Sequence, residues 1–276
     1  MRHPSEEGEP VNYSTCGEVG VLTLNRPRRL NAISEGLRRQ VHRLVEHARA
    51  DDAVRALVIT GTGRGFCSGS DLLTGPSMPR SAAEAKPARG QAELLDEMDW
   101  VGRWAKLFYD FDKPMVGAVN GIAAGAGMSM ALSCDVRVGS PDARFKTVFV
   151  ERNLSPDSGL SFFLPRIVGY AHAADLILTS REVAASEALD LGLLNRVVPA
   201  ERLLEEAVGY AREMTRWPPV AIRSAKRVLQ RSIDSSIDDA LRYERIGLDV
   251  ARSAVRDTEE ARAAFFEKRD GVFTGT

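Results

Sequence analysis

The segment from Pro114 to Asp135, PMVGAVNGIAAGAGMSMALSCD, limits the possible folds of this chain more than any other part of it. An apolar run from Met115 to Val119 predicts a buried strand, and the Asn-Gly pair at 120–121 predicts a turn. Three small residues at 125–127 then open a helical pattern. Small residues let another molecule approach the backbone, and the first N–H groups of a helix have no partner within it. We therefore expect a strand, a turn and a helix whose N-terminus can bind a phosphate or a developing oxyanion.

A second candidate donor loop lies upstream, in the sequence FCSGSDL from Phe66 to Leu72. It follows the strand-like sequence RALVIT and the turn GTGRG. Backbone N–H groups from two separate loops can together bind one oxyanion that forms during a reaction. Our working hypothesis is that these two loops form a catalytic site.

Charge and hydropathy exclude several classes of protein. The 276 residues include 37 basic and 38 acidic side chains, and a net charge of −1 predicts no nucleic-acid partner. The apolar stretches are interrupted and shorter than the roughly 20 residues that span a bilayer, so no membrane partner is expected. Residues 1–10 are polar and lack the apolar core of a signal peptide, which predicts a disordered tail.

Cysteine and histidine usage predicts neither a disulfide framework nor a metal site. The three cysteines are far apart in sequence, and the four histidines form no pair with metal-ligand spacing. Few, unpaired cysteines are typical of a reducing compartment, so we expect a cytoplasmic protein.

The order of predicted elements indicates an α/β fold with mainly parallel strands. Residues 17–64 are predicted to form strand, helix and strand, with Ser34 as the N-cap of the helix. A proline-containing loop is expected from Leu73 to Gly90, and a helix from Gln91 to Phe111. Residues 11–199 form the predicted core, and residues 200–276 contain only helical patterns.

Two other interpretations of the glycine-rich segment are weak. A dinucleotide fingerprint requires a third glycine at a fixed offset and an acidic residue at the end of the next strand, and neither is found here. Ser129 loosely resembles the serine of a hydrolase, and Asp157 and His172 follow it in the required order. That serine must lie on the turn itself, whereas Ser129 falls within the predicted helix, where a small packing residue is expected.

Asp157 is the leading candidate for a catalytic carboxylate. It lies in NLSPDSGLSFFLPRIVG, directly before a helix predicted to start at Ser158. An aspartate there is also typical of an N-cap, which stabilises a helix by ~1 kcal/mol. The local sequence supports the two roles about equally, and one residue can serve both. Lys226 and the arginines at 26, 28 and 29 are candidate phosphate contacts.

Taken together, these segments resemble the crotonase superfamily, the enoyl-CoA hydratases and isomerases. The likeness runs from about Gly17 to the C-terminus and includes FCSGSDL, NGIAAGAGMSMALSCD, NRPRRLNAIS, LGLLNRVVP and AFFEKRDGVFTG. It implies a spiral of repeated ββα units with a C-terminal helical region for trimerisation and closure of the CoA and acyl pocket. It also implies acyl-CoA thioester substrates, no further cofactor, and a homotrimer or a dimer of trimers.

The resemblance also implies roles for particular residues. The backbone N–H groups of Ser70 and Ala126 would form the oxyanion hole, although the family commonly has glycine at the second position. The CoA and acyl contacts would be made by Arg28, Ala32, Ser68, Asp71, Leu72, Lys226 and Phe265.

The catalytic pair of the family's hydratases is missing. Their two glutamates correspond to Ser129 and Phe149, and Glu151 is nearby but out of register. Asp157 instead matches the aspartate of double-bond isomerases, including the ring isomerase of phenylacetate breakdown. Halobenzoyl-CoA dehalogenases also have an aspartate there, but with a histidine and aromatic pocket residues that find no match here. We therefore expect an isomerase with Asp157 as its acid and base. A non-catalytic acyl-CoA-binding protein and a hydratase using Glu151 remain the alternatives.

Overall fold

A computed structural model describes residues 8–73, 91 and 95–276 of the chain. Six of its strands form one sheet in the order β1-β2-β3-β5-β7-β10. β1 is antiparallel to β2, and the other neighbours are parallel, as predicted. The strands are β1 (Val11–Cys16), β2 (Val19–Leu24), β3 (Ala56–Gly61), β5 (Met115–Val119), β7 (Val136–Gly139) and β10 (Arg196–Val197).

A second sheet of four short strands lies beside the first, in the order β4-β6-β8-β9. Its first three strands are parallel, and the last is antiparallel. They are β4 (Gly65–Cys67), β6 (Ile122–Ala124), β8 (Arg144–Lys146) and β9 (Val183–Ala184).

Nine helices can be assigned within the described residues. They are α1 (Glu35–Ala50), α2 (Asp99–Tyr109), α3 (Ala126–Ser133), α4 (Leu160–Thr179, kinked at Gly169), α5 (Ala185–Asp190), α6 (Leu203–Thr215), α7 (Pro219–Ser232), α8 (Ile237–Arg252) and α9 (Val255–Glu267). Short 3-10 helices cover Pro27–Arg29, Val150–Arg152 and Ala200–Arg202. None of the helices described is long and apolar enough to cross a membrane.

The chain order shows a repeated ββα unit. β5 of the large sheet is followed by β6 of the small sheet and then by α3, and β7, β8 and α4 repeat the pattern. The predicted spiral of ββα units with a helical C-terminal region is therefore confirmed. In the first of these units α3 begins directly after the short strand β6, and this helix start carries the candidate N–H group of Ala126. In the second unit a loop and a short 3-10 helix separate β8 from α4.

The large sheet is buried on both faces. Side chains alternate along a strand, so Leu57 and Ile59 of β3 enter one apolar cluster, whereas Ala56 and Val58 enter another. Helix α1 covers the first face with buried residues at helical spacing, and the Ser34 hydroxyl accepts the Leu37 N–H at 3.3 Å, as the predicted N-cap.

Helix α6 covers the opposite face of the large sheet. Its buried Leu203, Ala207 and Ala211 pack in the same cluster as valines of β2, β3, β5 and β7. This helix lies within the predicted C-terminal region of residues 200–276, yet it completes the sheet core. The helices that extend beyond the core start at α7.

Two expectations need correction. The helix predicted from Gln91 to Phe111 is interrupted, because residues 95–98 are not helical and α2 begins only at Asp99. Residues 8–10 of the predicted tail are held in place, since Asn25 donates its backbone N–H to the Pro10 carbonyl at 2.8 Å. Residues 1–7 of that tail and residues 74–90 of the predicted loop lie outside the described part.

Lys226 connects helix α7 to the large sheet. Its buried ammonium donates to the Lys113 carbonyl at 2.9 Å and to Asp135 Oδ2 at 2.8 Å. The same carboxylate oxygen accepts the Met115 N–H at 2.7 Å, at the start of β5. One carboxylate therefore joins the first of the outlying helices to a central strand.

We expect Lys226→Ala to lower the free energy of unfolding by about 2 kcal/mol, because it leaves a carboxylate and a carbonyl without their buried donor. Lys106→Ala is the matched control, since Lys106 forms an exposed pair with Asp110 at 2.7 Å. Its loss should cost less than about 1 kcal/mol. Denaturant unfolding measures both values. Equal losses in the two variants would contradict the structural role given to Lys226.

Candidate active site

The first candidate donor loop is held by the buried side chain of Asn31. Its Oδ1 accepts the Arg26 N–H at 2.8 Å, and its Nδ2 donates to the Gly65 carbonyl at 2.7 Å. Asn31 has a φ of 56°, in the left-handed region that asparagine tolerates better than most residues. These bonds join the NRPRRLNAIS segment to the start of β4.

A short parallel pairing then fixes the direction of the Ser70 amide. Ile33 donates to the Gly69 carbonyl at 2.7 Å, and Asp71 donates to the Ile33 carbonyl at 3.0 Å. Backbone groups alternate in direction along an extended chain, so the Ser70 N–H points away from Ile33. It makes no hydrogen bond to any group in the described part of the chain.

Gly69 brings the two donor loops into contact. It has a φ of 89°, and a Cβ built on it would lie 2.8 Å from the Ala124 carbonyl oxygen and 3.6 Å from the Ala126 nitrogen. A side chain there would collide with the backbone before α3, so only glycine allows this approach. The amide of Ala126 therefore lies beside the residue that precedes Ser70.

Ala126 is the first residue of α3, after Gly125 with a φ of 52°. Its own φ is not positive, so the backbone accepts a Cβ where the family commonly has glycine. As the first helical residue it has no partner for its N–H within the helix, and no other described residue accepts that hydrogen. Trp104 of α2 donates its indole N–H to the Ala126 carbonyl at 3.4 Å, which holds the next peptide of the chain, between Ala126 and Gly127.

Gly127 allows α3 to pack against the first loop. A Cβ on this residue would lie 2.1 Å from the Cys67 carbonyl oxygen, a backbone atom that cannot move aside cheaply. The two donor loops thus approach each other at two glycines, Gly69 and Gly127.

Asp157 is not a helix cap. Helix α4 begins at Leu160, with Gly159 as its N-cap and no capping side chain. The half-buried carboxylate accepts one hydrogen bond from the described residues, from the Ser158 hydroxyl to Oδ1 at 2.9 Å. Burial raises the pKa of Asp157 above its ordinary value, and the Ser158 hydrogen bond partly opposes that rise.

The loop that carries Asp157 is bound to α3. The Ser129 hydroxyl donates to the Ser158 carbonyl, and Ser129 lies three residues after Ala126, on the same face of the helix one turn later. Ser129 is buried, and its hydroxyl is already used in this hydrogen bond. The Asp157 carboxylate accepts its hydrogen bond from a serine and not from a histidine. The serine-hydrolase interpretation is therefore wrong.

Ser129 and Phe149, at the positions where the resemblance implies the two hydratase glutamates, cannot transfer a proton to water. Phe149 is buried, and its ring reaches to 3.9 Å from where a Cβ on Gly125 would lie. Glu151 is exposed and paired with Lys146 at 2.7 Å, and this hydrogen bond holds the pKa of Glu151 below its usual range.

The candidate CoA contacts divide into three groups. Five of them lie on the first donor loop or on the NRPRRLNAIS segment that is hydrogen-bonded to it, and these are Arg28, Ala32, Ser68, Asp71 and Leu72. Arg28 and Leu72 are exposed, whereas the Asp71 carboxylate is buried and forms a salt bridge of 2.9 Å with Arg26. Phe265 lies on α9 and is 77% exposed. Lys226 is buried on Asp135, so its ammonium is not available to a phosphate in this arrangement.

Sequence reasoning missed Trp104 and Ser158. Trp104 belongs to no motif and resembles any buried aromatic residue on an amphipathic helix. Ser158 lies in the sequence PDSG, but no contact was predicted for its side chain. Ser158 has a φ of 53° and precedes Gly159 at 82°. The Ser-Gly pair at 158–159 is a turn signal, but two successive left-handed residues are not predictable from it.

Comparison with known proteins places this geometry in a family. The family model for enoyl-CoA hydratase/isomerase matches residues 15–276. A protein of Rhizobium meliloti named as a probable enoyl-CoA hydratase is 36% identical over 267 residues, covering 96% of this chain and 98% of the relative. The 1,2-epoxyphenylacetyl-CoA isomerase of Escherichia coli is 36% identical over 259 residues, covering 93% and 95%.

Solved structures agree with the sequence relatives. The crystal structure of an enoyl-CoA hydratase from Bacillus anthracis superposes with a TM-score of 0.86 at 26% identity, covering 97% of this chain and all of the other. With a matching family model along nearly the whole chain and a shared fold, the protein belongs to the enoyl-CoA hydratase/isomerase family of the crotonase superfamily.

Proposed function

We propose that the protein is an acyl-CoA double-bond isomerase with Asp157 as its single acid and base. The observation that carries this proposal is the environment of the Asp157 side chain. Its carboxylate caps no helix, is half-buried with a raised pKa, and lies on a loop bonded to α3 one turn from Ala126. A carboxylate whose pKa is raised is a stronger base than an ordinary aspartate, which suits it to receive and return a proton.

The proposed reaction begins at the thioester carbonyl. Its oxygen accepts hydrogen bonds from the N–H groups of Ser70 and Ala126, which stabilise the negative charge that develops as an enolate forms. Asp157 removes a proton from one carbon of the acyl chain and returns it to another, so the double bond moves and no atom is gained or lost. Each oxyanion donor contributes ~3 kcal/mol to such a step, and a positioned base roughly 10²–10⁴-fold in rate.

The isomerase proposal is favoured over hydration by the residues that replace the glutamates. Hydration needs a group that delivers water and its proton, and neither Ser129 nor Phe149 can do so. Glu151 is an exposed carboxylate bonded to Lys146, and its low pKa makes it a poor base. The names of the relatives support either activity, since the Rhizobium protein is named a hydratase and the Escherichia protein an isomerase.

We propose that CoA binds along the first donor loop. Arg28 is a cation for a phosphate, while Ala32, Ser68 and Leu72 line the same paired segments, and Asp71 can contribute its main chain. Phe265 would contribute from α9. The buried ion pair of Lys226 argues against a phosphate contact through that side chain. No group other than the CoA of the substrate is needed for the proposed step.

We further propose a homotrimer or a dimer of trimers assembled through the outlying helices. Helix α8 exposes several large apolar side chains to solvent in the single chain, namely Ile237, Leu241, Ile246, Leu248 and Val250. Apolar surface of this extent on one helix is typical of a protein contact.

Asp157→Asn should lower kcat for a double-bond shift by about 10²–10⁴-fold, because asparagine cannot accept the proton. Glu151→Gln is the control and should retain activity. A carboxylate whose pKa is raised on folding favours the folded state at pH values below its unfolded pKa. That contribution is lost as the pH rises through its folded pKa. Asp157→Asn should therefore not lower stability at pH 7.

The assay uses a panel of 3-enoyl-CoA and 2-enoyl-CoA thioesters in water enriched in oxygen-18. Full activity of Asp157→Asn would contradict the proposal. Incorporation of the heavy oxygen into product, lost in Glu151→Gln, would establish the hydratase instead. An absence of turnover by the unmutated protein, with retained CoA binding, would favour the non-catalytic protein.

Ala126→Pro should remove one oxyanion donor while keeping the helix. Proline lacks an N–H and is well tolerated at the first helical position. We expect kcat to fall by about 10²–10³-fold with a circular dichroism spectrum like that of the unmutated protein. A folded Ala126→Pro variant with full activity would exclude this amide from the oxyanion hole.

A further inference from the structure

Ser158 holds an unfavourable backbone conformation beside the candidate base. Its φ of 53° lies in the left-handed region, which costs a residue with a Cβ of order 1 kcal/mol, and its side chain is buried. Glycine would fit this position without strain. A serine there therefore needs a reason, and its hydroxyl supplies one by donating to Asp157 Oδ1 at 2.9 Å.

Ser129 fixes Ser158 from the other side. Its hydroxyl donates to the Ser158 carbonyl, and its own backbone N–H donates to the Gly125 carbonyl at 3.0 Å within α3. Two serines thus connect the helix that begins at Ala126 to the carboxylate of Asp157. Since Oδ1 receives the Ser158 hydroxyl, the other oxygen, Oδ2, is left without a donor from the described residues.

Several charged side chains of the neighbouring elements form ion pairs with other residues. On α2, Arg103 pairs with Asp96 and Lys106 with Asp110. On α4, Arg166 pairs with Asp234, and before that helix Glu151 pairs with Lys146. None of these groups contributes to the pKa of Asp157, which is raised by burial and lowered by Ser158 within the part of the chain that the structure describes.

We propose that Ser129 and Ser158 are positioning residues that direct Oδ2 of Asp157 toward the substrate as the proton-transferring oxygen. This role rests on the proposed isomerase function. Ser129 fixes the peptide of Ser158 relative to α3 and therefore relative to the oxyanion donor on Ala126. Ser158 occupies Oδ1 and stops the carboxylate from rotating. Its hydroxyl also keeps the carboxylate ionised at a lower pH than burial alone would allow.

Ser158→Gly is the decisive variant, because it removes the hydroxyl and relieves the backbone at the same time. We expect an unchanged or higher melting temperature. The pKa of Asp157 should rise, and the acidic limb of kcat/KM should move upward by about one pH unit. On the plateau above that limb, the loss of kcat/KM should be about tenfold or less, because the carboxylate itself is still present.

A titration of carbon-13-labelled aspartate by NMR follows the same pKa without any activity, with Asp157→Asn to assign the signal. This readout separates the two proposals. If Asp157→Asn retains turnover, the isomerase function fails, while the shift of the Asp157 signal in Ser158→Gly still tests the positioning. An unshifted titration and an unshifted acidic limb in a folded Ser158→Gly variant would overturn the role of Ser158.

Ser129→Ala tests the second link, and Ser133→Ala is its matched control. Ser133 lies on the same helix, and its hydroxyl donates to the Met130 carbonyl at 2.8 Å within that helix. We expect Ser129→Ala to lower kcat by about tenfold with little change in KM, because the oxyanion donors and the CoA contacts remain. Ser133→Ala should leave both values unchanged. Equal values of kcat for the two variants would overturn the role of Ser129.

Discussion

The close approach of Gly69 to the backbone before α3 is the constraint on which the site depends. Two loops from different ββα units meet there, with no side chain between them, and a Cβ on Gly69 would reach within 2.8 Å of the Ala124 carbonyl. Gly127 makes the equivalent contact from the helix, against the Cys67 carbonyl. Because both contacts are between backbones, the two N–H groups are positioned by the fold itself and not by adjustable side chains. Preorganised donors of this kind need no rearrangement when charge develops.

The candidate base Asp157 depends on a balance between burial, which raises its pKa, and hydrogen bonding, which lowers it. Burial makes Asp157 a stronger base by raising its pKa. A buried carboxylate without any hydrogen-bond donor, however, would take up a proton and would be free to rotate. The Ser158 hydroxyl offsets part of that cost with one hydrogen bond, and Ser129 joins the loop to α3. The proposed site thus joins a rigid pair of donors to a single candidate base whose pKa is set by its surroundings. A double-bond shift needs no second proton-transferring group, which agrees with the serine and phenylalanine found at positions 129 and 149.

The sequence carried enough information for the fold and for the two donor loops. The apolar run in RALVIT predicted β3 as a buried strand, Ser34 predicted the start of α1, and small residues at 125–127 predicted an open helix start. The C-terminal region was harder to divide, because an amphipathic helix such as α6 has the same pattern whether it covers a sheet or another helix. The pattern of Gln91–Phe111 likewise gave no sign of the break before Asp99, whose φ of 50° is unusual for an aspartate at a helix start.

Whether Asp157 caps the following helix could not be decided from sequence, because a cap and a candidate base have the same local signature. The distinction comes from where the carboxylate hydrogen-bonds, and that depends on Ser158 and Gly159 both adopting positive φ. For Lys226, in contrast, the sequence suggested a ligand contact and the structure shows an internal ion pair. This lysine matches a phosphate contact in sequence, but the distant Asp135 takes its charge in the folded chain.

The most direct measurement is a crystal structure of the protein with an acyl-CoA bound. We expect the thioester oxygen at about 2.7–3.1 Å from both the Ser70 and Ala126 nitrogens, with Oδ2 of Asp157 facing a carbon of the acyl chain. A thioester oxygen bound elsewhere, or an Asp157 carboxylate directed into solvent beside a correctly bound thioester, would contradict this expectation.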